Sequence, residues 1–218
     1  MTYFIIDTGN SRSFPASHPL LEGKSNDGEV VILIGEKAGE ALPEIRNAEG
    51  KAAILIELGT ECLGVHTGES RAREGSNILG FARFRLGDSD PSNLVELVRQ
   101  PNTPESAINA AKAVLEGAGL KVAVCLDFAG RIIDRLVRPY YNATLRRLDE
   151  GLATADDMDL TLKLGLGYPE GPIALLERTG LAHHFDVTQA LFEAYGESPY
   201  APARRARVAK ARAQKKGG

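Results

Sequence analysis

Few side chains in this 218-residue chain could carry acid–base or nucleophilic chemistry. A lone histidine is typically solvated or a satisfied core residue, and we interpret all four histidines in that way. They are His18, His66, His183 and His184. Cys125 lies in an apolar run, which is typical of a small buried hydrophobe, and Cys62 lies in a glycine-rich segment. The sequence has no G-x-S-x-G turn and no metal-ligand spacing, so it predicts neither a serine hydrolase nor a metal site.

One carboxylate stands out by its surroundings. Glu96 lies between apolar neighbours in Leu94–Val98, a run that predicts a strand. We interpret it either as a functional acid or as a structural glutamate paired with a cation, and Arg83 and Arg85 are the candidate partners. The sequence leaves both interpretations open.

The elements around Glu96 alternate between strands and helices. Strands are predicted at 3–7, 30–34, 53–56, 77–85, 94–98 and 121–126, the last of them buried, with a helix-compatible stretch from 35 to 45. A helix follows Thr103-Pro104, with Thr103 as its cap. Such alternation indicates a parallel or mixed sheet covered by helices.

The second half of the chain is predicted to be helical. A long amphipathic helix starts soon after Asp127, with Leu136 among its apolar positions, and ends at Gly151. Thr154 caps the next helix, with Asp157 three residues on, and Gly165 and Gly167 end it. Two further helices cover 173–178 and 181–195. We therefore divide the chain into an α/β domain, residues 1–126, and a helical domain, residues 127–218.

Composition and charge exclude several classes of protein. Apolar content of 43% and charged content of 25% are ordinary for a globular chain, and no apolar run approaches the roughly 20 residues that span a bilayer. No secretory leader is recognised, and two cysteines make no disulfide framework, so we expect a cytoplasmic protein. Seven of the basic residues and no acid lie within 203–218. We interpret this tail as a solvated helix end with a frayed terminus, since the absence of interleaved aromatic residues does not favour nucleic-acid binding.

Several motifs in the second half occur in a recognisable order. They are Asp127, Gly130, Ile132, Asp134-Arg135, the run 155–159 (Ala-Asp-Asp-Met-Asp) and the run 167–172 (Gly-Tyr-Pro-Glu-Gly-Pro). This order resembles the start of the helical C-terminal domain of the 3-hydroxyacyl-CoA dehydrogenase family, over roughly residues 92 to 200. The resemblance implies a shortened Rossmann-like α/β half, an all-α C-terminal dimerisation domain, NAD as cofactor and acyl-CoA metabolism of the β-oxidation type.

The chain departs from that family where the chemistry takes place. The resemblance implies a histidine that takes the hydroxyl proton, a glutamate that orients it, and a serine and an asparagine that hold the substrate oxygen. The matching positions hold Ala82 for the histidine, Glu96 for the glutamate and Asp134 for the substrate-side asparagine. Arg85 stands where the strand motif has its own asparagine. The serine position is best matched by Thr60 or Cys62.

The family's cofactor requirement is also unmet in the sequence. A dinucleotide needs a G-x-G-x-x-G turn after the first strand, and neither 6–11 nor 34–39 supplies one. Glu36 would repel a phosphate at that position. The gap between Gly35 and Ala82 is also too short for a full dinucleotide-binding half.

The sequence therefore favours a family relative that is non-catalytic on its own, a pseudoenzyme acting as a dimerisation or scaffold module or as an acyl-CoA-binding module. The alternative is an active NAD-dependent dehydrogenase, or a subunit of one, that a partner completes. The weak site candidates are Glu96 and Asp134. A homodimer, or a heterodimer with a related dehydrogenase, is the expected assembly. No cofactor is assigned from the residues, and NAD rests on the resemblance alone.

Overall fold

The computed structural model describes residues 1–25 and 27–216, which form two compact units. The α/β unit contains residues 1–85 and 91–131, and the helical unit contains residues 86–90 with those from 132 onward. Residues 127–131 belong to the α/β unit because Asp127 is hydrogen-bonded to that unit. Its carboxylate accepts the backbone N–H groups of Leu63 and Gly64, at 2.6 and 2.8 Å.

The α/β unit is built on a six-stranded sheet in the linear order β1 to β6. The strands are β1 Tyr3–Asp7, β2 Val30–Ile34, β3 Ala53–Glu57, β4 Ile78–Arg83, β5 Leu94–Arg99 and β6 Lys121–Leu126. Neighbours are parallel except for β4 and β5, which are antiparallel. The helices of this unit are α1 Pro19–Glu22, α2 Gly64–Thr67 and α3 Glu105–Gly117. The predicted α/β class and the six strands are confirmed.

Apolar runs explain the core of this sheet. Every residue of β2 and β3 is buried, because both faces of these central strands are covered. On one face the strands pack with the apolar stripe of α3, which includes Ala111 and Leu115. On the other face they pack with Leu58 and Leu63 and the 3-10 helix Ala38–Glu44.

Two local predictions in this unit are wrong. β6 is an edge strand with a single neighbour, so Val124 and Leu126 are 38% and 44% exposed rather than buried. The helix-compatible stretch after β2 does contain a helix, the 3-10 helix Ala38–Glu44. Thr103 does not cap α3; its hydroxyl accepts the N–H of Gln100 at 3.0 Å.

The helical unit consists of five helices: α4 Ile133–Asp149, α5 Ala155–Leu166, α6 Pro172–Thr179, α7 Leu181–Tyr195 and α8 Arg204–Lys216. The predicted capping of α5 is confirmed, since the Thr154 hydroxyl accepts the N–H of Asp157 at 3.1 Å. Gly151 and Gly167 adopt positive φ after α4 and α5, which glycine tolerates best. Leu136 was wrongly placed on the packed face of α4, because its side chain is 69% exposed.

The basic C-terminal segment is helical as far as Lys216, and residues 211–216 are exposed, which agrees with the predicted solvated helix end. Arg204 and Arg205 both bind Asp149 at the end of α4, at 2.6 and 2.8 Å, and Lys210 binds Asp186 on α7. Residues 217 and 218 of the predicted tail lie outside the described residues. Within 1–25 and 27–216, no helix combines the length and apolar character needed to cross a membrane.

Candidate functional site

The antiparallel pairing of β4 with β5 places Ala82 directly opposite Glu96. Both residues are buried, and directly opposed residues of an antiparallel pair project their side chains on the same face of the sheet. The register therefore puts the two positions that matter in the family resemblance side by side. One of them holds a carboxylate, and the other holds only a methyl group, which can neither accept nor donate a proton.

Glu96 has a buried cation as partner, and this partner is Arg131. The Arg131 Nε lies 3.3 Å from Glu96 Oε2, and both side chains are almost completely shielded from solvent. Arg131 has a left-handed backbone with φ +53°, directly after Gly130 at φ +73°. Among the described residues its Nη1 atom has no hydrogen-bond partner. A guanidinium stays protonated in proteins, so it neutralises the carboxylate without being able to act as a base.

The cation expected beside Glu96 is thus a different arginine from those suggested by the sequence. Arg83 donates from all three guanidinium nitrogens to backbone carbonyls, those of Ser92, Ser13 and Pro91. The pairing of Arg131 with Glu96 joins residues 35 positions apart, so no local pattern in the sequence could have indicated it.

A cleft of about 230 Å³ opens at the carboxyl ends of β1, β2 and β3. Its lining includes Glu36, Glu57 and Glu61 together with His66. Glu57 is buried and accepts two backbone N–H groups, from Ser13 at 2.6 Å and Gly35 at 2.7 Å. It therefore ties together the loops that follow β1 and β2.

His66 forms a pair with Glu61 in this cleft, with 3.4 Å between Nε2 and Oε1. Gly39 lets the imidazole approach the backbone, since a Cβ there would lie 2.0 Å from His66 Nδ1. The sequence predicted a solvated or satisfied histidine, and the structure shows a largely buried imidazole with a carboxylate partner. Because the pair lies in a cleft, the arrangement is also capable of proton transfer.

The residues present do not fit the dinucleotide that the family resemblance implies. In a doubly wound fold the pyrophosphate lies at the point where the strand order reverses, but the order here runs from β1 to β6 without reversal. The lining of the cleft at the corresponding edge of the sheet has three glutamates and one arginine, Arg12, so carboxylates outnumber guanidinium groups and the balance of charge disfavours phosphate. The loop after β1 has one glycine, Gly9.

Thr60 and Cys62, the candidates for the serine position, lie between β3 and α2. The Thr60 carbonyl accepts the N–H of Gly130 at 2.8 Å, so this loop supports the backbone next to Arg131. Both cysteines are unpaired and partly buried. Burial, with a smaller effect of Glu96, raises the pKa of the Cys125 thiol to about 11, which makes it a poor nucleophile.

Asp134 lies in the other unit from Glu96, on the first turn of α4. Its Oδ1 accepts from Arg138 Nε at 2.7 Å, an i,i+4 pair. Arg138 Nη1 lies 3.1 Å from His184 Nδ1, and His184 Nε2 lies 3.0 Å from Asn142 Oδ1. Because a guanidinium only donates, Nδ1 of His184 accepts and Nε2 carries the proton.

This buried series of hydrogen bonds holds three segments of the helical unit together. Asn142 donates to the carbonyls of Pro199 and Tyr200, at 3.1 and 3.2 Å, and accepts from the backbone N–H of Ala203. It therefore joins α4 and α7 to the turn before α8. Burial, and secondarily the charge of Arg138, lowers the pKa of His184 to about 3. The position that matches a substrate-side asparagine is here engaged in holding the helices together.

Comparison with known proteins shows which family shares this architecture of an α/β half followed by a helical half. Residues 130–218 match the model for the 3-hydroxyacyl-CoA dehydrogenase C-terminal domain. A 3-hydroxybutyryl-CoA dehydrogenase of Mycobacterium tuberculosis is 34% identical over 178 residues, which are 80% of this chain and 60% of that protein. One of Bradyrhizobium diazoefficiens is 34% identical over 109 residues, 50% of this chain and 37% of that protein.

A solved structure shows the same fold. The (S)-3-hydroxybutyryl-CoA dehydrogenase of Ralstonia eutropha superposes with a TM-score of 0.68 at 22% identity, covering 85% of this chain and 66% of that one. The chain belongs to the 3-hydroxyacyl-CoA dehydrogenase family, and it spans 37% to 60% of the length of the two curated relatives above. The resemblance is confirmed and extends beyond the half of the chain indicated by the motifs.

The neutral buried His184 predicts how the stability of the helical unit depends on pH. The pKa is about 3 in the folded state and about 6.5 in the unfolded state, so protonation favours unfolding. The free energy of unfolding is therefore fully retained above pH 6.5 and falls as the pH decreases below it. Between pH 7 and pH 5 the loss due to His184 is about 2 kcal/mol.

Urea unfolding at these two pH values measures this loss. We expect the His184→Gln variant to lose about 2 kcal/mol less than the unchanged protein between pH 7 and pH 5. His183→Gln on the same helix is the control and keeps the original dependence. Equal losses in all three proteins would contradict the assignment of a neutral, buried imidazole.

Proposed function

We propose that this chain is a non-catalytic member of the 3-hydroxyacyl-CoA dehydrogenase family when it is on its own, and that it acts as a dimerisation or scaffold module. The observation that carries the proposal is the pairing of Ala82 with Glu96, whose carboxylate is bound by Arg131. General-base catalysis needs a group that can take the hydroxyl proton, and neither a methyl group nor a guanidinium can do so.

The absence of a phosphate cradle supports the same proposal. Hydride transfer requires a nicotinamide held against the reacting carbon. The linear strand order and the carboxylates of Glu36, Glu57 and Glu61 disfavour the dinucleotide that would supply it. The metabolic context that we propose is acyl-CoA metabolism of the fatty-acid type, with an acyl-CoA as the small-molecule ligand. Cytoplasmic location is proposed from the two unpaired cysteines.

A second candidate function rests on His66 and Glu61. An imidazole beside a carboxylate in a cleft is a general-base arrangement, and an NAD-dependent dehydrogenase completed by a partner could use it. Its position at the ends of β1 to β3 differs from the Ala82 position that the family resemblance assigns to the base. We therefore favour the non-catalytic proposal.

Incubation with acetoacetyl-CoA and NADH separates the two functions. We expect no loss of NADH absorbance above that of a mock preparation, and no heat of NADH binding in a calorimetric titration, because Ala82 stands at the position of the base and neither 6–11 nor 34–39 supplies the glycine-rich phosphate turn. A 3-hydroxybutyryl-CoA dehydrogenase in the same assay is the positive control. Turnover that disappears in His66→Gln but persists in His18→Gln would contradict the proposal and favour the second candidate.

A homodimer through the helical unit is the assembly that we propose. α5 has no buried residue, although Leu160, Leu164 and Leu166 are 51%, 78% and 63% exposed. Leu160 and Leu164 are four residues apart and lie on one face of the helix. Fully burying an exposed leucine contributes roughly 1.5–3 kcal/mol, and these partly covered leucines would contribute less each. A twofold axis would let α5 cover its own copy.

Substitution of Leu164 by glutamate tests this assembly. Placing a charge in an apolar self-contact should shift the protein to the monomer, with a mass of half the dimer in sedimentation or light-scattering measurements. Val65→Glu is the matched control, because Val65 is 67% exposed and lies in the α/β unit. The proposed dimer surface on α5 would be contradicted if the unsubstituted protein already has the mass of a monomer, or if Leu164→Glu remains a dimer.

A further inference from the structure

β6 has the composition of a buried strand but lies at an edge of the sheet. Its residues 122–126 are apolar without interruption, which is typical of a strand that is covered on both faces. Among the residues that the structure describes, β6 pairs with β5 and with no other strand. The side chains of Val124 and Leu126 are partly exposed as a result. An open apolar edge of this kind is a template for pairing with another strand.

The backbone of β6 presents hydrogen-bonding groups along this open edge. The N–H of Lys121 donates to the carbonyl of Asn93 at 2.9 Å, so it points towards β5. Backbone groups alternate in direction along a strand, and those of Val122, Val124 and Leu126 therefore point away from β5. Each of these residues offers one N–H donor and one C=O acceptor to an incoming strand.

The opposite edge of the sheet, formed by β1, is protected at its start. The carbonyl of Thr2 accepts from Val30 on the β2 side, so the carbonyl of Tyr3 points outward. This outward carbonyl accepts from both the N–H and the hydroxyl of Ser25, each at 2.9 Å. The loop after α1 thus takes the place of a neighbouring strand there. Residues 122–126 of β6 contain neither a proline nor a charge, the usual protection of an edge strand.

The charges at the two ends of β6 favour antiparallel pairing with a second copy of this chain. Lys121 precedes the apolar run and Asp127 follows it. A twofold axis at Val124 places Lys121 beside Asp127 of the second copy, whereas parallel pairing in register would bring like charges together. Asp127 contributes its charge rather than a new hydrogen bond, because its oxygens already accept backbone N–H groups.

The same register also matches the apolar side chains. It places Val122 opposite Leu126 of the second copy and Val124 opposite its own copy, all on one face of the sheet. Val122 already packs partly against the core beneath α3, so the cross-strand contacts would continue that core. Pairs of branched apolar side chains stabilise antiparallel strands.

We propose that the open edge of β6 pairs antiparallel with β6 of a second copy, which joins two six-stranded sheets into one. Val124 exchanges both backbone hydrogen bonds with its own copy, and Val122 exchanges them with Leu126. A strand of six residues makes a small contact, so this is a weak association at high protein concentration. Dimerisation through α5 is measured at low concentration, where β6 stays unpaired. The pairing does not rest on the proposed function.

Amide hydrogen exchange, measured residue by residue by nuclear magnetic resonance, tests the pairing in the full chain. The N–H groups of Lys121 and Ala123 face β5 and should exchange slowly at every concentration. Those of Val122, Val124 and Leu126 should exchange about fivefold more slowly at about 1 mM than at about 10 µM protein, because pairing covers them only at high concentration.

Substitutions at Val124 separate strand pairing from other contacts. Val124→Pro removes the outward N–H, which an edge strand tolerates, and Val124→Lys places a positive charge against its own copy. Both should abolish the concentration-dependent slowing. Val124→Thr keeps the N–H and the branched shape and should retain the slowing, as should Leu164→Glu on α5. Slow exchange of Lys121 and Ala123 shows that each variant is folded.

Several results would overturn the β6 pairing. Exchange of the outward N–H groups that is fast at every concentration, or slow at every concentration, shows that no second copy covers them. Slowing that survives in folded Val124→Pro or Val124→Lys, or that is lost in Val124→Thr or Leu164→Glu, assigns the protection to a different contact. All of these results leave the non-catalytic proposal standing, because that proposal depends on Ala82 and Glu96.

Discussion

The buried ion pair between Glu96 and Arg131 is the interaction on which the interpretation of this chain depends. Bringing two charges out of water costs several kcal/mol per ion, and a pair in this position is tolerated only when both partners are present. Removing one partner of such a pair typically costs about 3–5 kcal/mol. The pair therefore locks Glu96 into a structural role in the middle of the sheet.

The geometry that permits this pair is set by the backbone around it. Gly130 and Arg131 both adopt positive φ, and the loop at Thr60 holds Gly130 by a hydrogen bond of 2.8 Å. Asp127 in turn fixes the start of the same segment onto α2. The segment that follows β6 thus delivers a guanidinium to the carboxylate that, in the family resemblance, would orient a histidine. In the proposal made above, Ala82 stands at the position of the base, and Arg131 binds the carboxylate beside it.

The helical unit also contains a buried polar network. Asp134, Arg138, His184 and Asn142 form a continuous buried chain of hydrogen bonds in which each donor and acceptor described above is used. Such a satisfied network favours one arrangement of the helices, because any displacement would leave a buried polar group without a partner. The exposed leucines of α5 are one apolar part of the surface of this unit, and Leu136 and Leu152, 69% and 68% exposed, are others.

The sequence predicted elements that depend on local pattern and missed features that depend on distant contacts. The strands were found because apolar runs such as those of β2 and β3 are continuous, and the Thr154 cap was found because capping involves neighbours. The exposure of β6 was missed because an edge position depends on the order of the strands. The pairing of Glu96 with Arg131 and the contact of His184 with Asn142 join residues 35 and 42 positions apart, beyond what spacing can indicate.

The Arg131 side chain offers the most direct measurement of the central claim, through the nuclear magnetic resonance signal of its Nε–H group. A guanidinium bound to a buried carboxylate exchanges this proton slowly, so the signal should persist where that of the exposed Arg46 is lost. The chemical shift of the Arg131 Nε–H signal should also change strongly in Glu96→Gln, because this substitution removes the negative charge of the side chain and keeps its shape. An Arg131 signal that exchanges as fast as that of Arg46 and is unaffected by Glu96→Gln would show that the carboxylate is not engaged, and would contradict the account.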